Sequence, residues 1–300
     1  MNIIYPILSI ILAPLLFGII NKTKAFFAGR TGQPVFQLYF DLWKLLKKGA
    51  VYSRTTTWVF RAGSLVGLVS VMIAAYIIPG VLSFDGDIIL FVYLLGLMRF
   101  FTIIAALDTG SSFEGMGASR EAWFGLLAEP VLFTALITVA KISGCVSLSG
   151  MLGQITLETW GQYGASLALV SITILIVFLV ENSRIPFDDP NTHLELTMIH
   201  EVMVLDHSGP DLAFILYGSA LKFWVLGALL VGIVVPVHTG NLWVDTVIFL
   251  GGMLGLAVVV GVIESGMARL KLLNVPSILM GAGIFSLIAL IIVLRKAVGF

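Results

Sequence analysis

Glu129 is followed directly by Pro130 inside a long apolar stretch. Proline lacks the N–H that continues a helix, and its ring crowds the preceding turn, so carbonyls are freed close to a carboxylate. That setting suits proton or cation handling. Removal from water is expected to raise the carboxyl pKa towards neutrality, where it could load and release a proton near pH 7. Lys222, on another apolar stretch, is a candidate partner. Lys141 lies about three helical turns further along the same stretch, too far for direct contact.

Glu129 has company. Arg99 and Asp108 border the third apolar stretch, Glu121 begins the fourth, Glu181 and Arg184 end the fifth, and Glu264 ends the seventh. An ionisable group in lipid costs a few kcal/mol. So many are expected to face protein or water and to form a polar path; structural ion pairs are the alternative for any single one. Between the fifth and sixth stretches runs Glu181-Asn182-Ser183-Arg184-Ile185-Pro186-Phe187-Asp188-Asp189-Pro190-Asn191-Thr192-His193-Leu194-Glu195. There Asp188, Asp189, Glu195, Glu201, Asp206 and Asp211 share one Arg184. This segment is expected to fold inward and feed protons to Glu181; the alternative is a solvated face.

His193, His200 and His207 recur at seven-residue spacing, about 10.5 Å apart on a helix. Metal ligands sit about 2 Å from their ion, and position 204 is Val, so His200-Glu201 is not a zinc-protease motif. No metal site is expected; the histidines are candidate proton carriers. Cys145, the single cysteine, can form neither an intrachain disulfide nor a four-thiolate iron–sulfur site. The sequence contains no P-loop, no dinucleotide fingerprint and no nucleophile–base pattern, so no catalysis is expected of the chain alone.

The elements that must position these groups are set by composition. Of 300 residues, 59% are hydrophobic and 11% charged, and mean hydropathy is +1.06. Soluble domains carry about 25% charged residues, so lipid is the expected solvent. Net charge is zero, which gives nucleic acid no electrostatic footprint. Eight windows reach the ~20 apolar residues a bilayer requires: about 2–20, 60–80, 88–107, 121–141, 165–183, 212–235, 243–264 and 276–294. The expected fold is all-α, a single polytopic membrane domain over 1–300. The first window has no basic residues ahead of it and is expected to be a retained span. Residues 35–48 alternate polar and apolar positions at helical period, which predicts an interfacial amphipathic helix. Lysine and arginine concentrate in the odd-numbered loops, so these are expected in the cytoplasm and both termini outside; Arg295 and Lys296 run against the trend.

The Glu181–Asp188 run, followed by Glu195-Leu196, resembles the "ETNRAPFD…SEL" signature of the quinone-site membrane subunit of respiratory complex I. Gly29-Arg30-Thr31-Gly32-Gln33-Pro34 and its amphipathic helix resemble that subunit's first cytoplasmic loop. Leu107-Asp108-Thr109-Gly110-Ser111-Ser112-Phe113, Gly117-Ala118-Ser119-Arg120-Glu121, Glu129-Pro130 and Glu264–Leu270 are more similar to the related subunit of membrane-bound nickel–iron hydrogenases and formate hydrogenlyase. The resemblance covers nearly the whole chain. It implies a prokaryotic cytoplasmic (inner) membrane anchor that links a peripheral iron–sulfur arm to antiporter-like membrane subunits. The implied partners are hydrogenase-like large and small subunits and a ferredoxin-like iron–sulfur subunit. Iron–sulfur clusters and a nickel–iron centre would belong to those partners, with no cofactor in this chain and quinone left open. On this reading Glu129, Glu181, Asp188, Glu195, Glu264 and Lys222 form the proton path. Arg30, Arg120, Glu121, Arg184, His193 and Arg269 form the docking surface and cavity, with the arginines holding carboxylates. The complex I loop is richer in Glu where this chain has Asp189-Pro190-Asn191-Thr192-His193, which favours the hydrogenase branch. A quinone-site subunit of an NADH–quinone oxidoreductase and a stand-alone proton-coupled transporter are the alternatives; the lack of an internal repeat weighs against the transporter.

Overall fold

The computed structural model describes residues 4–188, 199–237 and 239–297. Among them it is all-helical: α1 (Ile4–Phe27), α2 (Gln37–Lys47), α3 (Trp58–Ile77), α4 (Asp87–Asp108), α5 (Ser112–Ser143), α6 (Leu148–Gln154), α7 (Leu157–Glu181), α8 (Gly209–Val234), α9 (Leu242–Gly266) and α10 (Val275–Ala297). Eight of these are long and apolar enough to cross a membrane. They correspond one to one with the eight predicted windows. α2 falls inside the predicted 35–48, is too short to cross, and has no buried residue.

Several boundaries and one whole element differ from expectation. α1 continues to Phe27, which brings Lys24 into a helix. α5 starts nine residues before the predicted window and has 32 residues, about 48 Å at 1.5 Å per residue. Its first turns contain Gly115 and Gly117 and read as a loop. They are helical because another segment packs on them: a β-carbon at Gly117 would come within 2.8 Å of the Ile199 carbonyl oxygen. α6 was not anticipated. It is fixed by Ser147, whose hydroxyl accepts from the Gly150 N–H, and by Asp87, whose Oδ1 accepts from the Leu148 N–H at 2.7 Å.

α8 is the axis of the bundle. Its apolar window is 78% buried, against 28% for the last span. α1, α2, α3, α7 and α9 pack around it, while α5 packs on α4, α7 and α10. A helix apolar all round belongs in a bundle interior, and in α8 Lys222 and Asp211 are the charged residues so enclosed. α9 and α10 instead leave Val247, Val258, Ile284 and Ile291 exposed, as lipid-facing helices do. The odd-numbered loops meet at one end: Leu270 N–H donates to the Pro186 carbonyl, and Val51 N–H to the Ser208 hydroxyl. Lys296 lies at the other end, donating to the Gln162 carbonyl at 2.6 Å.

Candidate functional site

Arg99 is the hub of a buried charge cluster where α4, α5, α7 and α8 converge. Its Nη1 donates to Glu129 Oε1 at 2.7 Å, its Nη2 to Glu181 Oε1, and its Nε lies 3.4 Å from Glu121 Oε1. Glu181 Oε2 continues the chain to Lys222 Nζ at 3.2 Å. Arg99 is 7% exposed, Glu121 9%, Glu181 6% and Lys222 8%. Two cations therefore face three carboxylates. Guanidinium suits the hub because its planar fork stays charged and presents several donors at once. Glycines make the room: a β-carbon on Gly125 would overlap the Arg99 side chain, and one on Gly96 would come within 3.2 Å of Glu129 Oε1.

Arg99 was expected to border its span, and Glu129 to be desolvated with Lys222 as partner. The structure corrects the place of Arg99 and the pairing of Lys222. Arg99 is buried well inside α4, and Lys222 meets Glu181 instead. Glu129 pairs with Arg99, and its side chain is 42% exposed on the bundle surface. Pro130 does not interrupt α5, and the Thr134 hydroxyl donates to its carbonyl at 2.7 Å. Lys141 is exposed in the last turn of α5. Asp108 accepts from Thr57 N–H and Oγ1, joining α4 to the start of α3 at the surface.

A second group sits at the loop end. Glu264, whose side chain is fully buried, takes Lys24 Nζ at 2.8 Å and Arg184 Nη1 at 3.4 Å. The Arg184 guanidinium lies over the Phe17 ring, 4.2 Å from its centroid. Asp188 turns inward: Oδ1 accepts from Arg269 Nη2 at 2.7 Å, and Oδ2 from the Ile199 and His200 N–H groups. A cavity of about 410 Å³ reaches both groups and is lined by Glu181, Lys222, Arg184, Asp188 and His200. Burial, reinforced by the charge of Lys222, lowers the His200 pKa to about 4. This environment favours the neutral imidazole.

Of the residues nominated from sequence, Glu121, Glu129, Glu181 and Lys222 come together in the first group, and Arg184, Asp188, Glu264 and Arg269 in the second. Glu121, which the resemblance places on the docking surface, lies in the Arg99 cluster. Arg30 is exposed in an open loop pocket with Lys24, and Arg120 is half-buried on α5. Glu195, His193 and Asp189 lie outside the described residues. The acidic segment is divided: Asp188 and Asp211 are buried, whereas Asp206 is exposed. Sequence reasoning missed the central place of Arg99, although an arginine within an apolar window was itself a signal. It missed Lys24 because the first span was ended too early.

Eight apolar helices around an internal run of ion pairs, with the cationic loops gathered at one end, define a polytopic membrane subunit. The chain belongs to the NADH dehydrogenase family, whose profile matches residues 1–295. It is 32% identical over 301 residues to formate hydrogenlyase subunit 4 of Escherichia coli (strain K12), covering 93% of this chain and 94% of that one. It is 32% identical over 235 residues to hydrogenase-4 component C of the same organism, covering 77% and 73%. The fold matches a chain in the structure of the membrane-bound sulfane sulfur reductase, an archaeal respiratory membrane complex, with a TM-score of 0.82, 20% identity, and 97% and 98% coverage. The resemblance read from the motifs is borne out at the level of family and of hydrogenase-type relatives.

Proposed function

We propose that this chain is the membrane anchor and energy-coupling subunit of an ion-translocating oxidoreductase of the hydrogenase or formate hydrogenlyase kind. The observation that carries this reading is a row of charged side chains from the loop-end cavity to the bundle surface, continuous as ion pairs from Lys222 to Glu129 and spaced by the cavity before that. It runs from Arg184 and Asp188 across the cavity to Lys222 and Glu181, then through Arg99 to Glu129. A proton taken up at the cavity balances the excess carboxylate of the Arg99 cluster. Its release at half-exposed Glu129 hands it to a neighbouring membrane subunit, which we take to be antiporter-like. The redox centres, iron–sulfur clusters and a nickel–iron site, would reside in partner chains docked over the cationic loops. Those loops would face the cytoplasm across the inner membrane, following the distribution of lysine and arginine.

The test is Glu129→Gln and Glu181→Gln in the assembled complex. Partner chains, with their iron and nickel, are expected to co-purify with both variants, while turnover or proton pumping falls at least tenfold. Wild-type turnover and pumping in both variants would overturn the proposal. A chain that purifies without partners would overturn the anchor role by itself.

A further inference from the structure

The seam between α3 and α8 carries another buried polar set, which shares no charged residue with the Arg99 cluster or the cavity. His207 is 4% exposed, and its imidazole stacks on the Phe60 ring with centroids 3.9 Å apart. The Phe60 backbone lies close by. Among the described residues, however, neither ring nitrogen reaches a partner at hydrogen-bond geometry. Asp211, 7% exposed, accepts from the Ser64 hydroxyl at 3.2 Å through Oδ1, while Oδ2 has no partner in the same set. Buried polar atoms left unmet are costly, and proteins seldom tolerate several in one corner.

Beside these groups is a void that leaves about 10 Å³ for the centre of a water molecule. Ser64, Thr102 and His207 border it, and Gly63 and Gly67 of α3 contribute no side chain to fill it. That is about the room one water needs, and a buried water is normally held by about three hydrogen bonds. The backbone fixes the corner. Gly209 takes φ +56° between His207 and Asp211, and a β-carbon there would come within 2.8 Å of the Gly49 carbonyl oxygen. The charged and titratable groups around the imidazole are mostly acidic. They are Asp206 beside it, Asp211 on α8, and Glu114 on α5, whose Oε1 accepts from the Asp206 N–H at 3.2 Å. Arg61 is the nearby cation of α3, lying over the Tyr52 ring at 4.0 Å. The Tyr52 hydroxyl approaches Asp211 without reaching hydrogen-bond geometry. Burial lowers the His207 pKa, and Asp211 and Asp206 oppose that shift.

We propose that His207 and Ser64 hold one ordered water in this void, that the Ser64 hydroxyl extends the link to Asp211, and that the set binds one proton, forming a water-bridged histidine–carboxylate site at the α3–α8 seam. Uptake of the proton from solvent converts the imidazole to imidazolium, and Asp211 provides the counter-charge. The water and the Ser64 hydroxyl together carry the hydrogen bonds that link the two.

The test uses the full chain in lipid nanodiscs. Histidine labelled with nitrogen-15 reports all four imidazoles, and His207→Gln identifies the signal of interest. The His207 signal is expected to titrate in one step below the ordinary histidine range. Asp211→Asn should lower that midpoint by a further unit or about that, because it removes the opposite charge. A His207 midpoint in the ordinary range, or one unmoved by Asp211→Asn, would overturn the proposal. A high-resolution map of the unmodified protein keeps the test independent of how the variants fold. It should show a water between the His207 ring and Ser64 Oγ, and an empty void there would equally overturn the proposal.

Discussion

The guanidinium of Arg99 lies against the backbone of Gly125, so close that a β-carbon at Gly125 would come within 2.8 Å of its Cζ and Cδ. Glycine at this position allows α5 to approach α4 while a large charged side chain passes between them. Gly125→Ala must push the guanidinium away from at least one of Glu121, Glu129 and Glu181. Overpacking of this kind costs about 1–3 kcal/mol. The variant is expected to unfold at lower temperature in detergent than the unmodified chain, and to lose pumping in the assembled complex. An unchanged melting temperature would mean that Arg99 has room elsewhere.

Removing the hub should cost more than removing its neighbour. Arg99→Met leaves Glu121, Glu129 and Glu181 facing only Lys222. An uncompensated buried charge of this sort costs about 3–5 kcal/mol. Lys222→Met leaves Glu181 still held by Arg99, so its cost should be smaller. Thermal unfolding of the two variants under the same conditions should rank Arg99→Met as the less stable. The reverse order would remove Arg99 from the centre of the cluster.

That ionisable groups sit among the spans was legible because charge is rare inside an apolar window: Glu129, Glu181, Lys222 and Glu264 all stand out there. How they pair was not legible. Arg99 meets residues 30 and 82 positions away, so its partners depend on which helix faces adjoin. Hydropathy periodicity places a span but does not rotate it against a neighbour. The missed first turns of α5 and the missed α6 have one cause. Both are glycine-containing segments whose helicity comes from tertiary contacts, Gly117 against Ile199 and Leu148 against Asp87. Local propensity carries no record of such contacts.

Stability should respond to acid through His200. Its folded pKa of about 4 lies below the ordinary 6.5, because burial and Lys222 disfavour imidazolium. Between these two values the unfolded chain binds more protons than the folded one. Stability is therefore intact above about pH 6.5 and falls as pH drops towards 4, by up to about 1.4 kcal/mol per pH unit from this group. Melting temperatures across that range should flatten in His200→Gln relative to the unmodified protein. Identical slopes would show that His200 is as easily protonated in the folded chain as in the unfolded one.

Glu264 tests whether the loop-end group acts as a unit. Its carboxylate is shared between Lys24 at 2.8 Å and Arg184 at 3.4 Å, and its side chain has no exposure. Lys24 is 24% exposed and reaches solvent, whereas Arg184 is 9% exposed and packed on Phe17. The shorter pair therefore sits in the higher dielectric, and the two effects oppose each other. Screening by water reduces an ion pair several-fold between a protein interior and its surface, far more than a 0.6 Å difference in separation changes it. The coupling of Glu264 to Arg184 should exceed its coupling to Lys24. Double-mutant cycles with Glu264→Gln, Arg184→Met and Lys24→Met, read by thermal unfolding, should place the Arg184 cycle in the upper part of the usual range of about 0.5–3 kcal/mol. They should place the Lys24 cycle near its lower end, where added salt erodes it further. A larger Lys24 coupling would mean that separation outweighs burial here, and that Lys24 is the principal counter-charge of the α9 terminus.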